Sequence, residues 1–410
     1  MGTAVGTVIR NNRISVYYYA AVALGYISTL LFSGMRPGVF ATALLLLVLG
    51  ELLLKKEVAL RTLPDAAVVL FFAYQSLSVI WLLAGGYPFS VFITEFCASV
   101  LPMVFYFVGR SLGQDAAKWY RWYLIAMLAL GILGALLYAF APQFYNDWSY
   151  AWGYISKADA ATTRVRMHSV VGSTSLSFIM VAGMLAGAFF LKREGEGRSR
   201  KDLFFGIAGL ALCLLFAIMA NQRSGLVAAA LVLVYINVLL FFVLRLLPRK
   251  YFWIELGVLA AFFVLICALR FDFVLKYWYR IISLPTAVSQ RSEQWVAAVN
   301  NMYSTWLGNG LGANGHKALG IEDAHVIADG GLIKLYCENG VVGFSLWIFI
   351  LVLACRRGFK RIAERYAELG IVAVAILQSI GSNMLAFQLC TPIFWFAIGR
   401  LCEERTPDAE

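Results

Sequence analysis

The sequence is short of charge. Of its 410 residues only 14% are Asp, Glu, Lys or Arg, against roughly 25% in a typical soluble domain. With 61% hydrophobic residues, 15% aromatics and a mean hydropathy of +0.77, that shortage excludes an ordinary water-soluble globule. Paired cysteines are also missing. Cys97, Cys213, Cys267, Cys337, Cys355, Cys390 and Cys402 are scattered, mostly through apolar stretches, and none forms a C-x-x-C pair. Neither a disulfide framework nor a zinc site is therefore expected. No small-residue cleavage site follows the first apolar run. That run, preceded by Arg10 and Arg13, is expected to be a retained helix rather than a removed signal peptide. Internal repeats, low-complexity tracts and nucleic-acid-binding patterns are absent too, so the net charge of +11 is not read as a footprint for nucleic acid.

What remains is apolar sequence in runs of about 20 residues, long enough to span ~30 Å of hydrocarbon. Twelve such runs are read at about 16–33, 38–54, 66–84, 90–109, 121–141, 169–191, 203–220, 226–244, 251–269, 331–354, 367–383 and 387–401. The expected fold is an all-α polytopic membrane protein, one transmembrane domain over 1–410 with about twelve transmembrane helices. Basic residues follow each of the first five even-numbered runs: Lys55, Lys56 and Arg61; Arg110, Lys118 and Arg121; Lys192, Arg193, Arg198, Arg200 and Lys201; Arg245, Arg249 and Lys250; Arg356, Arg357, Lys360, Arg361 and Arg365. Lys and Arg in short loops mark the cytoplasmic side, which puts these loops and both termini there. The odd-numbered exits then face outward: a loop at 142–168, the turn NQRSG at 221–225, and a large loop at 270–330 between runs 9 and 10.

The outer segments carry the polar chemistry. The stretch PQFYNDWSYAWGYI is dense in Tyr and Trp, as suits a membrane–water interface or, less readily, a sugar-stacking surface. In QRSEQWVAAVNNMYSTW, helical spacing puts Trp295, Ala298, Val299, Met302 and Trp306 on one face, reading as an amphipathic helix. Arg223 lies between two apolar runs, where a lone arginine in a turn can snorkel to the interface; with Ser224 and Gly225 opening the next helix, guanidinium and helix N-terminus together also suit a phosphate. Arg291 opens the amphipathic helix, as a phosphate ligand or as a solvated charge beside Glu293. Arg164, Arg166 and His168 form a further basic element or interfacial anchors. WLGNGLGANG, with four glycines in ten residues, is a tight loop allowing close backbone approach; without a βαβ setting it is no dinucleotide fingerprint. His325 and Asp329, four apart, would share one face of a helical turn, and either could take a proton from a hydroxyl. The bland alternative is a polar loop capping the next helix. A metal site from Glu322, Asp323, His325 and Asp329 matches no specific motif, and no metal is expected.

Taken in order, NQRSGL, SQRSEQWVAAVNNMYSTWLGNGLGANG and DGGLIKLYCENGVVG resemble the O-antigen ligase/O-antigen polymerase superfamily of bacterial inner-membrane glycosyltransferases. The resemblance covers the whole chain in topology. It implies a GT-C-like fold in the bacterial inner (cytoplasmic) membrane, an active site on the periplasmic face, an undecaprenyl-pyrophosphate-linked glycan as donor, and inverting transfer without metal or other cofactor. It implies catalytic roles for His325 or Asp329, which would activate the acceptor, and for Arg223 and Arg291 on the pyrophosphate. Arg164, Arg166, His168, Gln222 and Trp295 are taken as further candidate substrate-binding residues. Counting back eleven residues from Gly340 reaches Asp329, where the ligase branch has histidine. That departure favours a polymerase of polysaccharide repeat units, with glycan as acceptor and a chain-length regulator as a possible partner. Ligation to lipid A-core is the first alternative. A lipid-linked glycan flippase is the second, although alternating access usually goes with internal repeats.

Overall fold

The structure is a computed structural model and describes residues 13–32, 34, 36–153, 166–191, 200–245, 248–282 and 284–403. Among the described residues there are helices and loops and no strand. The principal helices are α1 (Ile14–Ser28), α2 (Pro37–Leu54), α3 (Leu63–Ala84), α4 (Phe89–Ser111), α5 (Ala116–Phe140), α6 (Pro142–Ala151), α7 (Ser173–Phe189), α8 (Arg200–Ala220), α9 (Arg223–Val243), α10 (Arg249–Leu269), α11 (Phe271–Ile282), α12 (Leu284–Asn300), α13 (Gly331–Lys360), α14 (Ile362–Gly381) and α15 (Thr391–Leu401). Each of the twelve apolar runs overlaps one of them. Eight (α2, α3, α4, α5, α8, α9, α10 and α13) are long and apolar enough to cross a membrane. The architecture is that of a polytopic helical membrane protein.

Close packing relies on small residues, as expected where lipid tails are as apolar as leucine. A Cβ on Gly187 would come within 2.9 Å of the Gly206 carbonyl and one on Gly206 within 2.8 Å of the Gly187 carbonyl, so α7 and α8 touch backbone to backbone. The same holds between α4 and α15, where a Cβ on Gly109 would lie 2.2 Å from the Phe396 carbonyl and one on Gly399 2.0 Å from that of Tyr106. α15 is buried at every position and α7 at all but its ends, so they form the centre of the bundle.

One end of the bundle gathers the basic loops. Arg110 donates to the carbonyls of Glu57 and Ala59 and pairs with buried Asp65 at 2.5 Å. Arg13 reaches Glu57 and Asp115, and Arg365 and Arg400 share Glu368 and Glu403. The loops after runs 2, 4 and 10 thus sit together, as charge alternation requires.

The opposite end is organised around a break in α13. Gly340 has φ 59° and ψ −169°, which ends one helical segment and starts another. The groups freed there are satisfied by the glycine-rich loop. Asn309 and Gly310 donate to the Cys337 and Glu338 carbonyls at 2.8 and 3.0 Å, while Val341 and Val342 donate to Thr305 and Trp306 at 2.9 and 3.1 Å. Gly308 to Gly315 is wholly buried, and Gly308, Gly310 and Gly312 hold φ of 80°, 87° and 91° against α13, α3 and α4. The close approach expected of WLGNGLGANG is what the loop does. Gly340→Ala is expected to be strongly destabilising. A side chain in this backbone region costs about 1–3 kcal/mol, and its Cβ would in addition lie 2.4 Å from the Trp306 carbonyl. A thermal melt in detergent should show a fall in Tm; an unchanged Tm would contradict the break.

Two sequence readings need correction. α12 ends at Asn300, so Met302 and Trp306 lie beyond it. The chain turns there because the Asn309 side chain accepts from the Tyr303 amide at 2.6 Å. Trp295, Ala298 and Met302 still pack together, against Ile327, Ile333, Tyr336 and Cys337, while Val299 and Trp306 are exposed. Second, His325 and Asp329 share no helical turn, because 324–330 is not helical. Asn314 donates to the His325 carbonyl at 2.8 Å and Asn383 to those of Ile327 and Ala328 at 2.8 and 3.2 Å, drawing the carbonyls sideways instead of into a helix.

Candidate functional site

The polar end of the bundle is assembled from five segments. α9 begins at Arg223, with Gln222 as the residue before it. Gln222 Nε2 donates to the hydroxyls of Ser173 at 2.9 Å and Thr174 at 2.8 Å, pinning this helix start to that of α7. Ser224 Oγ lies 3.4 Å from Ser382 Oγ, and the Gly331 amide donates to the Ser382 carbonyl at 3.2 Å. Asn383 then holds the residues before Asp329. The Arg223 segment and the Asp329 segment therefore converge on Ser382–Asn383.

Arg291 and Asp329 meet directly, with Nη2 2.6 Å from Oδ2, and the Trp295 indole donates to the Asp329 carbonyl at 2.7 Å. Gly330 is required beneath that indole, since a Cβ there would come within 2.5 Å of Nε1 at a φ of 131°. α12 thus presents arginine and tryptophan, one helical turn apart, to a single loop. Arg223 differs: its buried Nε has no hydrogen-bond partner among the described residues. A buried donor without a partner needs an explanation, and a ligand oxygen is one.

The other anticipated residues are dispersed. His325 is half-buried and bonded through its carbonyl. His168 is buried beside Tyr145, whose hydroxyl accepts from the His168 amide at 2.5 Å. Tyr145 and Trp148 of the aromatic stretch are interior, while Phe144 and Tyr150 are exposed. Burial pushes the Tyr145 phenol above its ordinary pKa. Arg166 is half-buried, and Arg164 lies outside the described residues. Glu322, Asp323, His325 and Asp329 do not gather: among the described residues no three His, Cys, Asp or Glu side chains are grouped to hold a metal ion.

Beside these segments lies a cavity of about 840 Å³. Its wall combines Arg36, His316, Lys317, Lys334 and Glu95 with the Gly172–Ser175 start of α7, Thr42, Gln388 and Asn383. Ser173 and Thr174 line it and hold Gln222; Asn383 lines it and holds the loop before Asp329. The cavity is thus continuous with the bonds that position both arginine-bearing segments. At its wall Lys334 Nζ sits between two carboxylates, 2.6 Å from Glu95 and 3.2 Å from Glu338. All three side chains are buried. Above them, burial and the carboxylates of Glu338 and Asp323 raise the pKa of the Tyr87 phenol.

None of Arg36, Glu95, His316, Lys317, Lys334 or Glu338 was anticipated. For three of them a signal existed: Glu95 is a lone carboxylate in an apolar run, and Lys334 and Glu338 lie four apart at the start of another. Ionisable residues at membrane depth are functional candidates by default. Neither the protein-family models nor the curated proteins contain a match to this chain.

Proposed function

We propose that the protein polymerises lipid-linked polysaccharide repeat units at the periplasmic face of the bacterial inner membrane, as the resemblance to the O-antigen ligase/polymerase superfamily implies. In this reading all twelve apolar runs cross the membrane in a GT-C-like arrangement, with the basic end and both termini cytoplasmic. Helices α1, α7 and α15, of 15, 17 and 11 residues, are shorter than the ~20 residues a lipid-facing span needs. α7 and α15 are sheltered inside the bundle.

The observation that carries the reading is Arg223: an arginine at a helix start, with a buried and unpartnered Nε, next to Gln222, which is bonded to two wall residues of the large cavity. Guanidinium and helix N-terminus together fit the diphosphate of the donor and stabilise its charge as it leaves. Arg291, held by Asp329, supplies a second guanidinium from the large outer loop.

Deleting the gene tests this. Lipopolysaccharide carrying core plus one repeat unit, without a ladder, is the expected result. Bare core, with long glycan accumulating on the carrier lipid, would overturn polymerase in favour of ligase. Purified protein that builds glycosidic bonds from the lipid-linked donor without an energy source would exclude a flippase.

A further inference from the structure

We infer that the acceptor sugar of this transfer occupies the 840 Å³ cavity and that Glu95 is the base that takes the proton from its hydroxyl; the inference rests on the transfer reading above.

The argument begins with charge balance. Glu95, Lys334 and Glu338 place two carboxylates against one ammonium, with one negative charge in excess. A buried carboxylate that shares its cation with a second carboxylate still attracts a hydrogen-bond donor. The two carboxylates are not equivalent. Glu338 is turned inward, accepting from the Asn314 amide at 3.3 Å as well as pairing with Lys334, and does not line the large cavity. Glu95 lines it, with Lys334 at 2.6 Å and the Ser99 hydroxyl donating at 2.8 Å. A hydroxyl entering the cavity would be a further donor for Glu95, beside the Arg36, His316 and Lys317 side chains of the same wall.

The local backbone supports a functional placement. Directly after Glu95, α4 loses regular α geometry: Phe96–Val100 is a π-helical turn and Leu101–Met103 a 3₁₀ turn. Pro102 cannot donate to the Ala98 carbonyl, which is a cause for the bulge. Such bulges occur often at functional sites. At 1.5 Å per residue, Glu95 lies about 9 Å along the helix from Phe89, within the protein but open to the outer-face cavity. Neither Asp329 nor His325 lines the cavity.

The step balances without a co-reactant. The acceptor hydroxyl oxygen forms a bond to the anomeric carbon, the bond from that carbon to the lipid diphosphate breaks, and the diphosphate leaves with the electron pair. The hydroxyl proton passes to the Glu95 carboxylate. The ionisable groups around this cavity are Tyr26, Arg36, Cys97, His316, Lys317, Lys334 and, behind Lys334, Glu338.

The test uses full-length protein in liposomes, with lipid-linked repeat units extracted from the deletion strain as substrate. Glu95→Gln leaves Lys334 balanced by Glu338 and is expected to fold. Its turnover should fall by ~10²–10⁴-fold, the usual worth of general-base catalysis, with donor KM unchanged. Should Glu95→Gln not fold, Glu95→Asp serves: a reduced rate supports the role, and a full rate overturns it. Wild-type turnover by Glu95→Gln overturns the assignment while leaving polymerisation intact. Failure of the wild-type protein to make polymer overturns the transfer reading itself.

Discussion

Arg223→Ala is expected to reduce polymer by at least ~10²–10³-fold, the usual cost of removing one preorganised donor to developing charge, while leaving the protein at normal level in the membrane. Both halves of this expectation come from the same geometry. The Arg223 Nε bonds to no described protein group, so truncation orphans no acceptor at that atom. The neighbours that position the helix start, Gln222 on Ser173 and Thr174 and Ser224 beside Ser382, do not depend on the guanidinium. On the proposed function, what is lost is the contact with the donor diphosphate. Arg223→Lys should recover only part of the activity, because an ammonium keeps the charge but not the planar fork that grips two phosphate oxygens. The measurement is the glycan ladder of the complemented deletion strain beside an immunoblot of its membranes. A full ladder from Arg223→Ala would remove the basis of the proposed mechanism.

Lys334→Met should have the largest effect on folding. It leaves the buried carboxylates of Glu95 and Glu338 facing one another without their shared cation. Breaking a buried ion pair by deleting one partner typically costs about 3–5 kcal/mol, mostly the penalty of the charge left behind. Low yield and a much reduced Tm in detergent are expected. The combined change Glu95→Gln, Lys334→Met, Glu338→Gln removes all three charges at similar volume and should restore much of the Tm without restoring transfer. A wild-type Tm for Lys334→Met alone would mean that the trio carries no net charge to be balanced.

The part of the fold visible in the sequence was the part that rests on local sums. Apolar runs located the helices because hydropathy adds along a continuous segment, and the basic loops after runs 2, 4 and 10 do lie at one end. WLGNGLGANG could be read as a close-packing loop because three of its glycines adopt φ values that other residues disfavour. The reading of 324–330 failed because spacing by four was taken as a helix, while the backbone there is claimed by the side chains of Asn314 and Asn383. A side chain competing for a carbonyl from a distant segment leaves no periodic trace.

The candidate site divides along the same line. Arg223, Arg291, Trp295 and Asp329 stood out because a polar residue in a greasy chain is conspicuous wherever it occurs, and the structure pairs Arg291 with Asp329 and sets Trp295 on the Asp329 carbonyl. The cavity was invisible, since its wall draws on segments from Tyr26 to Leu389. Sequence by itself determined the helical membrane architecture and the alternation of loop charge, because each depends on the transfer of neighbouring residues between water and lipid. Only the tertiary structure decided that Glu95 meets Lys334, 239 positions later in the chain. That meeting is enforced by burial: two ionised groups taken from water into the bundle must find each other, and nothing in the intervening sequence states where.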